Sequence, residues 1–247
     1  MIHRSEQPEE RPMPATTRLL FLHGAGLTAA MWRPQLDALA GEIEADAIDL
    51  PGHGELGEER FTFPRAVEVI VGAIPNGTQT VLVGLSLGGY SAIETAAAHP
   101  DLPAALVLTG SSVDYSRFGN KVVAWSGEAF QRVWPNSMLR NAQDAAFRKR
   151  YPEYADELVA AGQWSRGYAD ALKAARRIHW STELASYERP VLLLNGALDK
   201  GHVKAAEQLA PTLPQARAEV LAAAGHLANL DQPDAYTAAL RSFVDAL

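Results

Sequence analysis

Residues 80–89 read TVLVGLSLGG and run directly into an alanine-rich segment. The pattern predicts a buried strand, a tight turn at Ser86 and a helix that begins at Leu87. Glycines at positions 84 and 88 suit a turn in which any Cβ atom would collide with the neighbouring strand and helix. Such a turn lifts the Ser86 hydroxyl clear of the sheet and points the Leu87 backbone N–H toward a developing oxyanion. We therefore predict that Ser86 is a nucleophile and that the Leu87 N–H is an oxyanion donor.

Short apolar runs recur on both sides of this turn and alternate with helix-like segments. The predicted strands, each interpreted as apolar on both faces, are Leu19–Leu22, Ala45–Leu50, Thr80–Val83, Ala104–Leu108, Val191–Leu194 and Ala218–Leu221. The predicted helices are Met31–Ala40, Pro64–Ala73, Leu87–His99, Val203–Leu209 and Pro233–Ala246. The alternation predicts an α/β fold, in which a mostly parallel central sheet carries helices on both faces.

One long segment, residues 111–187, contains no strand-like run. We predict that it is a helical cap insertion between two parts of an α/β core, residues 1–110 and residues 188–247. Four of the five tryptophans of the chain lie in this segment. Large, stiff apolar side chains suit the wall of a ligand pocket, but they also pack an insertion onto a core by default. The candidate substrate-binding residues are Trp125, Phe130, Trp134 and Trp164.

The turn after the first predicted strand reads His23-Gly24-Ala25-Gly26. Its small residues allow a backbone N–H to approach a reacting carbonyl, and we predict the Ala25 N–H as the second oxyanion donor. His23 itself is expected to be structural, hydrogen-bonded beneath the loop.

Two further candidate catalytic residues follow later strands. Asp199 comes directly after Val191–Leu194 and Asn195-Gly196-Ala197-Leu198, at the carboxyl-terminal strand edge where open α/β sheets keep their sites. His226 lies on a loop after the last predicted strand. We predict that His226 is the general base for Ser86 and that Asp199 orients this histidine.

Alternative bases and acids exist, since the chain has seven histidines. His53 precedes the serine in the chain, which disfavours it as the base. His202 lies three residues past Asp199 and is expected no nearer than the mouth of the site. Asp231 is the main rival carboxylate because it follows His226 closely. The remaining two candidates, His99 and His179, are interpreted as a helix-end residue and a residue of the insertion.

These motifs, in this order, resemble those of the α/β-hydrolase superfamily. The resemblance rests on residues 23–26, on Leu50-Pro51-Gly52-His53-Gly54, on the Ser86 turn, on residues 196–199 and on Gly225-His226. The chain order serine, aspartate, histidine is that of this superfamily. Within it, the sequence is similar to the small capped esterases, lactonases and carbon-carbon hydrolases. The short leader departs from the family pattern, in which antiparallel strands usually open the sheet.

Composition excludes several other classes of function. The chain carries 22 Lys+Arg against 29 Asp+Glu, so a nucleic-acid backbone would be repelled. With no cysteine, neither a thiolate nucleophile nor a cysteine-based zinc site is possible. We expect no metal and no cofactor, because neither a His-Glu-x-x-His spacing nor a phosphate-binding glycine motif occurs. The polar, proline-interrupted first 18 residues lack the apolar region of a secretory signal, and no apolar run approaches the roughly 20 residues of a membrane span. A cytoplasmic protein without a membrane partner is expected.

The sequence therefore predicts a serine hydrolase that cleaves a small to medium apolar carboxylic ester, its partner being a small-molecule substrate. Two alternatives stay open. The same triad serves carbon-carbon bond hydrolases and lactonases, because the cap selects the substrate. A protein of this fold can also hold a small ligand without turning it over.

Overall fold

The computed structural model describes residues 17–114, 136–162, 165–176 and 183–247. The strands in these ranges are β1 Thr17–Leu22, β2 Glu44–Ile48, β3 Gln79–Leu85, β4 Ala105–Thr109, β5 Val191–Gly196 and β6 Ala216–Leu221. The helices are α1 Arg33–Leu39, α2 Phe63–Ala73, α3 Leu87–Ala98, α4 Asn136–Arg150, α5 Ala155–Ala160, α6 Ser165–Ala175, α7 Lys200–Leu209, α8 Ala228–Asp231 and α9 Pro233–Val244. The predicted leader, apart from its last two residues, which open β1, lies outside the described residues.

The six strands form one sheet in the order β2-β1-β3-β4-β5-β6, and every pairing is parallel. The prediction of an α/β fold with a mostly parallel sheet is confirmed. Parallel strands all end at the same edge of a sheet. The register shows this at the centre, where Leu22 of β1 pairs with Gly84 of β3 and Leu85 of β3 pairs with Thr109 of β4. The loops after β1, β3, β4, β5 and β6 therefore meet at one edge.

Alternation along the central strands divides the core into two layers. Leu20 and Leu82 belong to one apolar cluster, which includes residues of α2 and α3, whereas Phe21 and Val83 belong to the other, which includes residues of α1 and α9. Successive side chains of a strand point to opposite faces, so both faces of the central strands are buried. This burial fixes the sheet between two layers of helices, as the sequence predicts.

The expectation that every strand is apolar on both faces is wrong for the two edge strands. In β6, Arg217, Ala218 and Val220 are exposed, and in β2 Glu44 and Asp46 show the same partly exposed pattern. An edge strand has a neighbour on one side only, and charged side chains are a common way to keep such an edge from pairing with other chains. The sequence does indicate this exposure, because a charged residue stands at every second position over part of each strand.

Helices α4, α5 and α6 follow β4 in the chain, and the described residues between β4 and β5 contain no strand. Two aromatic side chains of this region, Phe147 and Tyr151, are buried in the same cluster as residues of α1 and α9. They pack this segment onto the core, which is one of the two roles considered for the aromatic residues of the predicted insertion. No described helix is both long and apolar enough to cross a membrane.

Candidate active site

Ser86 lies between the end of β3 and the first residue of α3, with φ 53° and ψ −112°. A non-glycine residue in this region is strained, and such strain persists only where the surroundings impose it. Here the surroundings are close-packed: a Cβ atom on Gly84 would lie 2.5 Å from the carbonyl of Gly88, and one on Gly88 would overlap the carbonyl of Leu22. The predicted reason for both glycines is confirmed. The Ser86 side chain is left partly exposed at the sheet edge.

The loop after β1 lies beside this turn, since a Cβ atom on Gly24 would be 3.8 Å from the Cβ of Ser86. Three backbone N–H groups in the two turns are engaged by other protein groups. Gly24 N–H faces the sulfur of Met31 at 3.4 Å, and Gly26 N–H donates to Nε2 of His53 at 2.9 Å. The N–H of Ser86 donates to the carbonyl of Thr109 at 2.7 Å.

The N–H groups of Ala25 and Leu87, the residues predicted as oxyanion donors, are not engaged in this way. Neither donates a hydrogen bond to any of the described residues. Leu87 is also the first residue of α3, so its N–H has no partner within the helix and lies at the positive end of the helix dipole. Both turns therefore leave one free donor beside Ser86.

Two buried imidazoles support the loop after β1. His23 donates from Nδ1 to the carbonyl of Gly24 at 2.8 Å and accepts from the Leu50 N–H at Nε2, 2.9 Å away. His53 donates from Nδ1 to the carbonyl of Pro51 at 3.0 Å and accepts the Gly26 N–H. His23 is therefore structural, as predicted, and His53 holds the loop rather than contacting the serine.

Both of these histidines are neutral at ordinary pH. Burial, and secondly the charge of His53, lower the pKa of His23 to about 3. Burial also lowers the pKa of His53. Because each ring accepts a backbone hydrogen bond through one nitrogen, protonation would replace an acceptor by a donor and break that bond. The geometry of the loop thus depends on both rings staying uncharged.

Asp199 and His226 are in direct contact. His226 Nδ1 lies 2.6 Å from Asp199 Oδ2, and the histidine side chain is 45% exposed whereas the carboxylate is 17% exposed. Partial burial raises the pKa of Asp199, but the hydrogen bond from His226 and the positive charges that His202 and His226 can carry lower it by more, so its pKa lies below the ordinary value. An ionised carboxylate here fixes the proton on Nδ1 and leaves Nε2 of His226 as the basic nitrogen.

The end of β4 connects this pair to the serine. Thr109 accepts the Ser86 N–H, and the next residue, Gly110, touches the imidazole: a Cβ atom there would lie 2.6 Å from Cε1 of His226. The Gly110 N–H in turn donates to Oδ1 of Asn195 at 2.9 Å, which joins β4 to β5 near Asp199. Ser86, Asp199 and His226 thus come to one edge of the sheet, around the last residues of β4.

His202 was predicted no nearer than the mouth of the site, but it lies inside it. It is 6% exposed, its ring centroid is 5.4 Å from that of His226, and its Nδ1 accepts the Ser112 N–H at 3.2 Å. Burial lowers its pKa to about 4, although Asp199 raises it. A sequence signal existed, because position 202 is on the first turn of α7, directly after Asp199.

Asp199, His202 and His226 are also the described residues that could together hold a metal ion, since one donor atom from each lies within 4.8 Å of the others. Hydrogen bonds to protein groups engage one nitrogen of each imidazole: Nδ1 of His226 bonds to Asp199, and Nδ1 of His202 accepts the Ser112 N–H. In the structure, these hydrogen bonds hold the two histidines in place.

Asp231, the rival carboxylate, has other partners. Its Oδ2 accepts the Gly225 N–H at 2.6 Å, and its Oδ1 accepts hydrogen bonds from Arg150 and Tyr151. Asp231, on the short helix α8, therefore binds these groups, and Asp199 is the carboxylate that contacts His226.

The four candidate substrate-binding residues lie outside the described residues; they are Trp125, Phe130, Trp134 and Trp164. One aromatic residue of α6 does reach the site: a Cβ atom on Gly26 would be 3.3 Å from the ring of Tyr168. Tyr168 thus lies over the loop that carries the Ala25 N–H.

Comparison with known proteins agrees with this arrangement. The model of the Alpha/beta hydrolase family matches residues 19–239 of the chain. The chain belongs to the α/β hydrolase family. The family extends over β1 to α9 and so includes every residue of the site described above.

Individual α/β hydrolases show the same likeness over nearly the whole chain. A pimeloyl-[acyl-carrier protein] methyl ester esterase of Xanthomonas campestris pv. campestris (strain B100) is 29% identical over 245 residues, which are 93% of this chain and 95% of that protein. An esterase of Thermogutta terrifontis, solved with malate bound, has a TM-score of 0.74 and 25% identity over 94% of this chain and 90% of its own. The enol-lactonase of Burkholderia xenovorans LB400 has a TM-score of 0.78 at 23% identity, over 96% and 94% of the two chains, and shares the fold.

Proposed function

We propose that this α/β hydrolase is a serine esterase that cleaves small to medium apolar carboxylic esters through an acyl-enzyme intermediate. The observation that carries the proposal is the 2.6 Å contact of His226 Nδ1 with Asp199 Oδ2, at the sheet edge where strained Ser86 is partly exposed. The esterase names of the relatives support the same reaction class. The catalytic roles of Ser86, Asp199 and His226 are part of the proposal.

In the first step, Nε2 of His226 takes the proton of the Ser86 hydroxyl as the oxygen attacks the ester carbonyl. The imidazolium that forms is stabilised by Asp199, which stays ionised because its pKa is lowered. A carbon-oxygen bond forms to Ser86 and the carbonyl π electrons move to its oxygen. Collapse of this intermediate expels the alcohol, which takes the proton from His226.

The negative charge on the carbonyl oxygen is held by the Ala25 and Leu87 N–H groups. Neither of these two donors has a hydrogen-bond partner among the described residues. In other enzymes the loss of one such donor costs about 2.7–4 kcal/mol of transition-state stabilisation. Because the donors are fixed by β1, α3 and the two buried imidazoles, they need little reorganisation during the reaction.

In the second step, water replaces the alcohol. His226 takes a proton from the water, the hydroxide attacks the acyl carbon, and the bond to Ser86 breaks as its oxygen regains the proton. The products are a carboxylic acid and free enzyme.

We further propose that residues 111–187 form the cap that selects the acyl group. Tyr168 over Gly26 supports this, since it places an aromatic ring of α6 above the proposed oxyanion loop. The substrates to test first are methyl esters, because the relatives at 27% and 29% identity are named as methyl ester esterases.

Kinetics of Ser86→Ala on a panel of methyl and p-nitrophenyl esters of varied chain length test the proposal. We expect turnover to fall by about 10⁴- to 10⁶-fold and labelling by a fluorophosphonate to disappear. Ser242→Ala on the exposed face of α9 is the matched control and should retain both. Full ester turnover in Ser86→Ala would disprove the proposal. If lactones or carbon-carbon substrates were turned over faster than esters, the alternative reaction, lactone or carbon-carbon bond hydrolysis, would replace the proposed one.

A further inference from the structure

Asp231 connects two parts of the chain that lie far apart in sequence. Its Oδ1 accepts from Nε and Nη2 of Arg150, at 3.0 and 2.8 Å, and from the Tyr151 hydroxyl at 2.7 Å. Its Oδ2 accepts the Gly225 N–H at 2.6 Å. One carboxylate, 5% exposed, therefore holds both the end of α4 and the loop that precedes His226.

The two sides of this connection are packed closely. A Cβ atom on Gly225 would lie 3.3 Å from Oδ2 of Asp231 and 3.7 Å from Nη2 of Arg150. An added side chain would touch the guanidinium at an ordinary contact distance, but it would press on the carboxylate oxygen, which would have to shift by a few tenths of an ångström. Gly225 is also the residue directly before His226, so a hydrogen bond to its N–H restrains the backbone from which the imidazole projects.

Two side chains at the end of α4, those of Arg150 and Tyr151, stabilise the negative charge of the Asp231 carboxylate. Arg150 forms a forked contact with Oδ1, and its side chain is still 57% exposed. Burial, and secondly the hydrogen bond to Asp231, raise the pKa of Tyr151, so its hydroxyl remains a donor. Without these partners, a nearly buried ionised carboxylate would be costly in free energy. Its hydrogen bond to the Gly225 N–H would then weaken.

We propose that Asp231 is a positioning residue that couples α4, a helix of the insertion, to the orientation of His226. The inference rests on the proposed role of His226 as the base. It assigns Arg150 and Tyr151 to the same unit, although both lie on the insertion. Loosening the α4 side of the connection is then expected to disturb the imidazole even though no changed atom touches it.

The chain offers a matched pair of substitutions for the test. Arg150→Met removes the charged partner of Asp231, whereas Arg148→Met removes the ion pair of Arg148 with Asp156, which lies wholly between β4 and β5. Both arginines lie on the last turn of α4 and are more than half exposed, so neither substitution opens the core. Asp231→Asn complements them, since its side-chain oxygen can still accept the Gly225 N–H while the negative charge is lost.

Two measurements separate coupling from a general loss of stability. The first is the NMR resonance of the His226 Nδ1 proton, which requires no turnover and can be followed in the Ser86→Ala background. The second is kcat on the best ester of the panel. We expect Arg150→Met and Asp231→Asn to shift or broaden the resonance and to lower kcat about tenfold, with a smaller change in KM. The double variant should be no worse than either single one, because both remove one connection.

Arg148→Met should leave the resonance unchanged and should keep kcat within twofold of the value for the unchanged enzyme. An unchanged resonance and kcat in both Arg150→Met and Asp231→Asn would overturn the coupling, and so would equal effects of Arg148→Met and Arg150→Met. If ester turnover survives Ser86→Ala, the proposed function fails, yet the resonance still reports on the connection between α4 and His226. The two failures are therefore distinguishable.

Discussion

The amide N–H of Ser86 donates a 2.7 Å hydrogen bond to the carbonyl of Thr109. This bond continues the β3–β4 pairing by one residue past Leu85, so the strained backbone of Ser86 is held by the sheet itself. It also engages the Ser86 N–H, so that of these two neighbouring N–H groups the Leu87 N–H is the one left for the proposed role of oxyanion donor. The position of Ser86, its backbone strain and the choice of proposed donor thus have one common cause.

Ser86→Gly is expected to raise the stability of the fold while abolishing ester turnover. Glycine relieves the strain at φ 53°, which costs about 1–3 kcal/mol, and loses about 0.5–1 kcal/mol of that gain to chain entropy. Urea unfolding should therefore give Ser86→Gly a larger free energy of unfolding than Ser86→Ala, which keeps the strain. The reverse order would mean that the turn is not strained.

Gly88→Ala is expected to destabilise the fold strongly. Its new Cβ would overlap the carbonyl of Leu22, which is backbone and cannot turn aside, so β1 and α3 must separate at a cost of about 3 kcal/mol or more. Gly72→Ala is the control: Gly72 lies on the exposed face of α2, nothing lies within 4 Å of its Cβ position, and the variant should gain about 0.5–1 kcal/mol. Urea unfolding of the two variants checks both values. Equal destabilisation by both would contradict the packing argument.

His53→Leu is expected to lower kcat by about tenfold to a hundredfold without removing any group that touches the substrate. The Gly26 N–H would be left buried without its acceptor, a loss of about 1–3 kcal/mol, and the Ala25 N–H beside it would be less firmly held. Steady-state kinetics on the best ester measure the effect. The exposed His99→Leu serves as the control. An unchanged kcat in His53→Leu would show that the loop holds its shape without the imidazole.

Stability is expected to fall as the pH is lowered from 6.5 toward 4. The pKa of His202 is about 4 in the fold against an ordinary 6.5, so the unfolded chain binds this proton first and acid favours unfolding. Each such histidine removes about 1.4 kcal/mol per pH unit in this window, and its contribution is fully present above 6.5. Urea unfolding at pH 7.5, 6 and 5 measures the slope.

His202→Asn tests the share of this residue in that slope. The asparagine side chain can still accept the Ser112 N–H but does not titrate, so the fall between pH 6.5 and pH 5 should become shallower by the contribution of one histidine. The slope that remains is assigned to His23, whose pKa is about 3, and to His53. Identical slopes in the two proteins would exclude His202 as a contributor.

The sequence predicts the sheet, the Ser86 turn and the Asp199–His226 pair because each depends on local rules. Apolar runs mark buried strands, and glycines mark close backbone approach at Gly84 and Gly88. These rules act within a few residues, and parallel pairing then brings the strand ends together. The chain order serine, aspartate, histidine then predicts which residues form the candidate site.

Other features depend on how distant segments pack, which spacing does not reveal. Asp231 and Asp199 are both plausible partners of a histidine on the last loop, and only the direction of α8 sends Asp231 to Arg150 instead. The depth of His202 is likewise set by the β4 loop through Ser112, ninety residues earlier in the chain. Neither of these two long-range contacts leaves a local pattern in the sequence, although the place of His202 on the first turn of α7 does indicate that it lies near Asp199.

Every candidate catalytic group follows the carboxyl end of a strand of the all-parallel sheet. Among the described residues, the opposite rim of the sheet, where the strands begin, therefore carries none of these groups. The turn of Asn76 and Gly77, before β3, belongs to that rim, and the Asn76 side chain is exposed. Anchoring the protein to a solid support through position 76 would therefore present the candidate site outward. A biocatalyst immobilised in this orientation should lose none of its access to dissolved reactants.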